Sequence, residues 1–161
     1  MLEELNALLD DYDLSLEDLL RYIKTLFLAN KYLIAEARAF IESERRFHKK
    51  FKRTDLFETP DLISDDESIW VEVKDVKGIA FGSTTLSRNQ LLKLISGARK
   101  GKSVYIAVVL GPLVEFIELN TLLKEKQMDR GDALLNSILL ELNKRIEKTI
   151  IKYLKEGIKN N

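Results

Sequence analysis

The chain has 161 residues, of which 45% are apolar, and its 26 basic and 26 acidic residues give a formal net charge of zero. The absence of cysteine excludes disulfides and thiolate zinc sites, and the single histidine excludes a multi-histidine metal site and argues against a Ser-His-Asp triad. No apolar run approaches the roughly 20 residues that span a bilayer, and the acidic N-terminus does not resemble a signal peptide, so we expect one soluble, cytoplasmic protein domain.

Charge is distributed unevenly along the chain. Residues 1–18 are strongly acidic, and the segment that follows Lys144 is rich in lysine. A basic cluster without any acid lies between these two regions. It consists of Arg45, Arg46, Lys49, Lys50, Lys52 and Arg53. Such a cluster is typical of a phosphate-binding surface, although lysines at a sheet edge also serve to discourage unwanted strand pairing.

Three helices are predicted in the first part of the chain. Met1–Leu9 and Ser15–Ala29 carry apolar residues at helical spacing. Ser15 is a suitable N-cap, because acidic residues that favour the positive end of the helix dipole follow it at once. Leu33–Glu44 has a similar apolar stripe and is predicted to form the third helix.

A first strand and a β-hairpin are predicted next. In the segment Phe47–Arg53, one set of alternate positions holds Phe47, Lys49, Phe51 and Arg53, and the other holds His48, Lys50 and Lys52. This mixture of apolar and charged residues indicates an edge strand, with continuation of the helix to Phe51 as the alternative. Two short apolar runs follow, Leu62-Ile63 and Ile69–Val73, and the five polar residues 64–68 between them are rich in turn formers. This pattern predicts a hairpin.

The hairpin brings acidic residues from its two arms together. If the turn is centred between Asp66 and Glu67, Asp61 lies opposite Glu72, with Cβ atoms about 4.5–5.5 Å apart. Lys74 is two residues beyond Glu72 and lies on the same face. The opposite face of the hairpin, which is predicted to enter a core, carries Leu62, Val71 and Val73. Because neighbouring carboxylates repel each other, a hard divalent cation with oxygen ligands is their natural partner.

The remaining elements alternate between helix and strand. They are a helix over Leu86–Ala98 capped by Ser87 or Thr85, a buried strand over Val104–Leu110, a last strand over Val114–Leu119, and helical segments from Thr121 with the longest over Ala133–Gly157. The order of elements predicts an α/β or α+β fold, with a mixed sheet flanked by helices.

An ordered set of short motifs surrounds the hairpin. In chain order they are Ala35-Glu36, Pro60-Asp61-Leu62-Ile63, Trp70-Val71-Glu72-Val73-Lys74, Leu86-Ser87-Arg88-Asn89-Gln90, Val104-Tyr105-Ile106-Ala107-Val108 and Glu115-Phe116-Ile117-Glu118-Leu119. Over residues 33–120 this set resembles the PD-(D/E)XK nuclease superfamily and, within it, archaeal Holliday-junction resolvases. The resemblance implies a restriction-endonuclease-like core over residues 31–120, with helical extensions over 1–30 and 121–161.

The resemblance also implies a magnesium site, in which manganese would substitute. The implied metal ligands are Glu36, Asp61, Glu72 and the carbonyl oxygen of Val73. Lys74 would lie beside the nucleophilic water, and Gln90 at the start of the next helix would support the site. Glu42 and Glu44 lie on the same predicted helix as Glu36 and are alternative upstream ligands.

The activity implied is that of an endodeoxyribonuclease that hydrolyses DNA phosphodiester bonds, with the basic cluster and Arg88 contacting the DNA. A homodimer is expected, since two symmetric nicks need two active sites, and the terminal helices are candidate dimer surfaces. The chain departs from the resolvases in these terminal extensions and in lacking a glycine-rich, basic N-terminus. Two alternatives remain: a non-catalytic DNA-binding protein on the same fold, and a subunit of a larger nucleic-acid-processing complex.

Overall fold

The computed structural model describes residues 2–22, 31–54, 58–75, 86–126 and 131–159. The helices of this part of the chain are α1 (Leu2–Asp10), α2 (Leu16–Tyr22), α3 (Lys31–Phe47), α4 (Arg88–Arg99), α5 (Leu119–Glu125) and α6 (Gly131–Lys159). The strands are β1 (Phe51–Arg53), β2 (Leu62–Ser64), β3 (Ile69–Asp75), β4 (Ser103–Leu110) and β5 (Leu113–Glu118). Among the described helices, none combines the length and the apolar character needed to cross a membrane.

Two helices begin at reciprocal side-chain caps. The Ser15 hydroxyl accepts a hydrogen bond from the Asp18 N–H at 3.1 Å, and the Asp18 carboxylate accepts one from the Ser15 N–H at 3.3 Å. Ser87 and Gln90 make the equivalent pair at the start of α4, both at 3.1 Å. Each pair satisfies two backbone donors that a helix start leaves free. The caps predicted at Ser15 and Ser87 are confirmed, whereas Thr85 and residues 23–30 lie outside the described part.

The strand predicted over Phe47–Arg53 is wrong in its first half. Helix α3 continues through Phe47, His48 adopts a left-handed backbone conformation (φ 53°) that ends it, and only Phe51–Arg53 is extended. The Glu44 carboxylate accepts a hydrogen bond from the Phe51 N–H at 3.1 Å, which fixes the turn between helix and strand. A left-handed residue after the last helical turn is a common way to end a helix.

The five strands form one mixed sheet in the order β1-β2-β3-β4-β5. Strands β1, β2 and β3 pair antiparallel, β3 and β4 pair parallel, and β4 and β5 pair antiparallel. A parallel pair needs a crossover connection, and α4 lies within the segment that links β3 to β4. The predicted class, a mixed α/β fold with a sheet flanked by helices, is confirmed.

Helices cover both faces of the sheet. Residues of α1, α2 and α3 share one apolar cluster with Ala107 and Val109 of β4, and residues of α4, α5 and α6 share another with Ile106 and Val108. Alternate residues of β4 therefore enter opposite cores, because successive side chains of a strand point to opposite faces. Burial on both faces explains why Val104–Leu110 is apolar without interruption.

Gly97 allows α4 to pack directly against Trp70 of β3. A β-carbon at Gly97 would overlap the Trp70 ring. We expect Gly97→Ala to destabilise the fold by about 1–3 kcal/mol, because the overlap outweighs the better helix propensity of alanine. Urea denaturation measures this change, with Ser96→Ala on the exposed side of α4 as the control. A Gly97→Ala variant as stable as the wild type would show that the Trp70 ring shifts freely.

Candidate functional site

The hairpin has the register that the sequence predicts. Leu62 pairs with Val71 and Ile63 with Trp70 across β2 and β3. Leu62 and Val71 are completely buried in the core of the α1–α3 side, and Val73 packs against the same core. Continuing this register by one residue places Asp61 opposite Glu72, on the face away from Leu62 and Val71.

The turn of the hairpin is organised around the Asp66 carboxylate. This carboxylate accepts hydrogen bonds from the Lys49 ammonium at 2.6 Å, from the Ser64 hydroxyl at 2.7 Å and from the Ser68 N–H at 3.1 Å. These bonds, that of Lys49 foremost, lower the pKa of Asp66 below its ordinary value. Glu67 adopts a left-handed conformation (φ 64°) that reverses the chain. The turn thus fixes the alignment of the two arms that carry the acids.

Asp61 and Glu72 form a facing acidic pair. The Asp61 carboxylate accepts a hydrogen bond from the Val73 N–H at 2.7 Å, which holds it against β3. Glu72 is only 2% exposed, and its buried Oε2 atom has no hydrogen-bond partner within the described chain. Burial, and then the charge of Asp61, raises the pKa of Glu72 to about 10. Without a cation, the Glu72 carboxyl therefore holds a proton at neutral pH.

Lys74 and Gln90 meet on the same side of the sheet as Glu72. The Lys74 side chain is buried, and its ammonium donates a hydrogen bond to Oε1 of Gln90 at 3.2 Å. The same Oε1 accepts the Ser87 N–H of the α4 cap, so the start of the helix fixes the position of the amide. The positive charge of Lys74 lowers the pKa of Glu72, whereas burial and the charge of Asp61 raise it. The structure thus brings together Asp61, Glu72, Lys74 and Gln90, as predicted.

Glu36 approaches this group from α3 but is held by other partners. Its Oε2 accepts a hydrogen bond from the Tyr22 hydroxyl at 2.7 Å and lies 3.6 Å from a guanidinium nitrogen of Arg53. The Arg53 guanidinium lies over the Tyr22 ring, 5.1 Å from its centroid. Burial, and then the charge of Asp61, raises the pKa of Glu36, whereas Tyr22 and Arg53 lower it. Glu36 therefore lies close enough to Asp61 to interact with it electrostatically.

The alternative upstream acids face other partners. Glu42 forms an ion pair with Arg38 at 3.1 Å. Glu44 forms one with Arg21 at 3.4 Å and also accepts the Phe51 N–H. Glu42 and Glu44 are thus paired with arginines of α3 and α2, and Glu44 also binds the backbone of β1. The charge of Asp61, in contrast, acts on Glu36 and raises its pKa. Glu36 is the acid of α3 that best fits a role at the site.

A divalent cation fits the pair formed by Asp61 and Glu72. Two facing carboxylates, one of which has a buried oxygen without a partner, supply the oxygen ligands that Mg²⁺ prefers, and the backbone carbonyl of Val73 lies next in sequence. Among the described residues, however, no group of three or more acidic or histidine side chains is arranged to hold a metal. The Glu36 carboxylate is held by Tyr22 and Arg53, and its part in holding a metal stays a prediction.

The basic cluster does not form one continuous surface. Arg53 turns inward to Glu36, and Lys49 pairs with Asp66 in the hairpin turn. Arg46 lies over the Phe116 ring, 4.9 Å from its centroid. The members of the predicted DNA surface whose side chains are exposed and make none of these contacts are Arg45, Lys50 and Lys52. Arg88 is exposed at the first residue of α4, two residues before Gln90.

Two side chains of the site were not anticipated from the sequence in these roles. Tyr22 reads as an apolar residue of the predicted helix over 15–29, and nothing in its sequence context indicates a hydroxyl bound to an acid of another helix. Arg53 belongs to a run of cations, which predicts a contact with DNA. Its buried Nε and one terminal nitrogen have no hydrogen-bond partner within the described chain, which marks it as a residue of the site's interior.

Comparisons with known proteins do not identify the chain. No protein-family model matches it, and neither a curated protein nor a solved structure matches it significantly. What the chain does is therefore inferred from the residues of the site and their geometry.

Proposed function

We propose that the protein is a magnesium-dependent endodeoxyribonuclease of the PD-(D/E)XK type, on a restriction-endonuclease-like fold. The observation that carries this proposal is the facing pair of Asp61 and Glu72, with a buried and unpartnered carboxylate oxygen and the Lys74 ammonium on the same face. The order and directions of the strands, and the helix start that holds Gln90, support it. Manganese is expected to replace magnesium.

Each residue of the site has a chemical role in this proposal. Asp61 and Glu72 would bind the ion, and Glu72 would release its proton as the ion enters. A bound Mg²⁺ would supply Lewis-acid chemistry to the scissile phosphate and to the attacking water. Lys74 would orient that water or stabilise the negative charge that develops on the phosphate. Gln90 would keep the Lys74 ammonium in place by its 3.2 Å hydrogen bond.

The proposal is tested by incubating the protein with a panel of labelled DNA molecules. The panel contains four-way junctions, flaps, linear duplexes and single strands. Each DNA is incubated with Mg²⁺, with Mn²⁺ or with EDTA. We expect cleavage of at least one of them with either metal and none in EDTA. Absence of cleavage from the whole panel, with a metal-dependent control nuclease active in the same buffer, would contradict the proposal.

Tyr22→Phe is expected to reduce cleavage about 10- to 100-fold, the usual cost of losing a partner that orients a residue of a metal site. The change removes the hydroxyl that binds Glu36 and retains the ring that contacts Phe40 and Arg53. Steady-state cleavage and isothermal titration with Mn²⁺ measure the effect.

The matched control for Tyr22→Phe is Tyr12→Phe. Tyr12 also donates its hydroxyl to a buried carboxylate, that of Asp75, at 3.2 Å, and this pair involves none of the residues of the site. Equal loss of activity in both variants would show that Tyr22 acts only through general stability.

A second candidate function has a specific observation in its favour. Arg45, Lys50, Lys52 and Arg88 are exposed cations, which a non-catalytic DNA-binding protein on the same fold would also use. It would bind DNA in EDTA with strong salt dependence and would make no nicks when Mg²⁺ is added. For the nuclease we further propose a homodimer, which light scattering of the purified protein tests.

A further inference from the structure

Among the described residues of α6, burial ends near the middle of the helix, and beyond Ile146 only Ile150 still packs against the core. The helix has 29 residues, which at 1.5 Å per residue gives about 43 Å. Its buried stripe, which packs in the core of the α4–α6 side, consists of Leu135, Ile138, Leu142 and Ile146. Beyond Ile146, every described side chain of the helix is exposed or only half-buried. This part of α6 therefore has a surface that the fold itself does not use.

Four lysines share one face of this segment, which we call the lysine face: Lys144, Lys148, Lys152 and Lys155. Their spacings of four, four and three residues place them within an arc of about 80° on a helix with 3.6 residues per turn. The centre of the arc lies about 120° around the helix from the centre of the buried stripe, and all four side chains are exposed. The side chains therefore form a single row that is about 17 Å long.

The lysine face has little acidic compensation. Glu147 is the one acid in the sequence from Lys144 to Lys155, and none of the four lysines forms an ion pair with a described residue. Arg145, between them in sequence, is already paired with Glu125 and Glu141. On a chain with a net charge of zero, this row concentrates positive charge at one place.

We infer that the lysine face binds the phosphate backbone of a nucleic acid, at a surface separate from the proposed catalytic residues. Lysines that follow one another at steps of about 4.5–6 Å along the helix axis suit a polyanion that carries regularly spaced charges. Lysine contacts to phosphate give affinity without sequence information, so the surface would hold DNA regardless of its sequence. This inference does not require the chain to cleave DNA.

An anionic membrane is the less suitable partner for this helix. A helix that lies on a bilayer inserts a wide apolar face between the lipids. Leu135, Ile138, Leu142 and Ile146 of α6 are instead buried against the protein, and the exposed apolar side chains among the described residues of the helix, Leu140 and Ile151, are eleven residues apart. Among the described residues after Ile146, the exposed side chains are therefore mostly charged, as a nucleic-acid contact requires.

The test measures the affinity of the full chain for a labelled DNA duplex in EDTA as a function of salt concentration. Replacing all four lysines of the lysine face with glutamine is expected to reduce the slope of log K against log salt by about three to four, since each phosphate contact contributes about 0.9. Replacing the same four with arginine is expected to retain the slope. Circular dichroism checks that the helix content is unchanged.

The matched control removes four exposed cations from other elements. Lys93, Arg99, Lys100 and Lys124 are exposed on or directly after α4 and α5, and their replacement with glutamine changes the net charge equally. We expect the control to keep the wild-type slope to within about one. An equal fall in slope in both variants, or no fall in the lysine-face variant, would overturn the inference.

Two further outcomes separate this inference from the proposed function. Cleavage with Mg²⁺ combined with an unchanged slope in the lysine-face variant would support the nuclease and overturn the lysine-face contact. Loss of the slope in that variant without cleavage by the wild type would support the contact and count against the nuclease. If the protein bound phosphatidylserine vesicles through the four lysines and bound DNA only weakly, the inference about the lysine face would also be overturned.

Discussion

Asp61→Asn is expected to reduce Mg²⁺-dependent DNA cleavage by at least about a thousandfold, which corresponds to about 4 kcal/mol in the activation free energy. The substitution removes the negative charge that would bind the cation. It retains an oxygen that can accept the hydrogen bond from the Val73 N–H, so the hairpin should keep its structure. The loss would therefore report on the chemistry of the site and not on folding.

The measurement compares cleavage rates of the wild type and Asp61→Asn on the best substrate of the DNA panel. Asp65→Asn is the matched control, because Asp65 is an exposed acid of the same hairpin and lies in its turn. We expect Asp65→Asn to cleave at the wild-type rate. Comparable rates for all three proteins would mean that Asp61 binds no catalytic ion.

Glu72→Gln is expected to abolish cleavage and yet to stabilise the protein in the absence of divalent ions. The pKa of Glu72 is raised from 4.5 to about 10, chiefly by burial and then by Asp61. The folded protein therefore holds this proton more tightly than the unfolded chain does. The protonated Glu72 carboxyl therefore makes its full contribution to stability below pH 4.5, the pKa in the unfolded chain. This contribution decreases as the pH rises from 4.5 to about 10, the pKa in the folded protein.

The glutamine side chain does not ionise, so the Glu72→Gln variant does not lose this stability as the pH rises. At pH 7 and without metal we expect Glu72→Gln to be more stable than the wild type by about 3 kcal/mol, and at pH 4 the two should be nearly equal. Such a gain is typical of a functional group that is kept at a cost in stability. Added Mg²⁺ should stabilise the wild type and leave the variant unchanged.

Urea denaturation in EDTA at several pH values measures this effect. Glu67→Gln changes an exposed acid in the same hairpin and should follow the pH dependence of the wild type. If the wild type and Glu72→Gln differed by a constant amount at every pH, the buried carboxyl would not have the raised pKa on which the site depends.

The hairpin could be predicted to the residue because its determinants are local. Turn-forming residues between two apolar runs fix both the reversal and the register, and the register alone places Asp61 opposite Glu72. The caps at Ser15 and Ser87 are local in the same sense. The boundary between α3 and β1 was missed because the mixture of aromatic and basic residues from Phe47 fits both a strand and a continued helix. The bond from the Phe51 N–H to Glu44 then decides between them.

The parts of the site that could not be predicted from the sequence depend on contacts between residues far apart in the chain. Tyr22, Glu36 and Arg53 belong to α2, α3 and β1, and only the packing of these elements brings them together. A buried phenol cannot be distinguished by sequence from an ordinary core aromatic residue. The same holds for Arg53, since a cation within a basic run suggests a surface and not an interior partner.

The central claim is that Asp61 and Glu72 form one site for a divalent cation, and a crystal soaked in Mn²⁺ tests it most directly. We predict an anomalous peak about 2.0–2.3 Å from a carboxylate oxygen of each residue and from the carbonyl oxygen of Val73. Manganese bound elsewhere on the molecule, with no peak between Asp61 and Glu72, would contradict the claim.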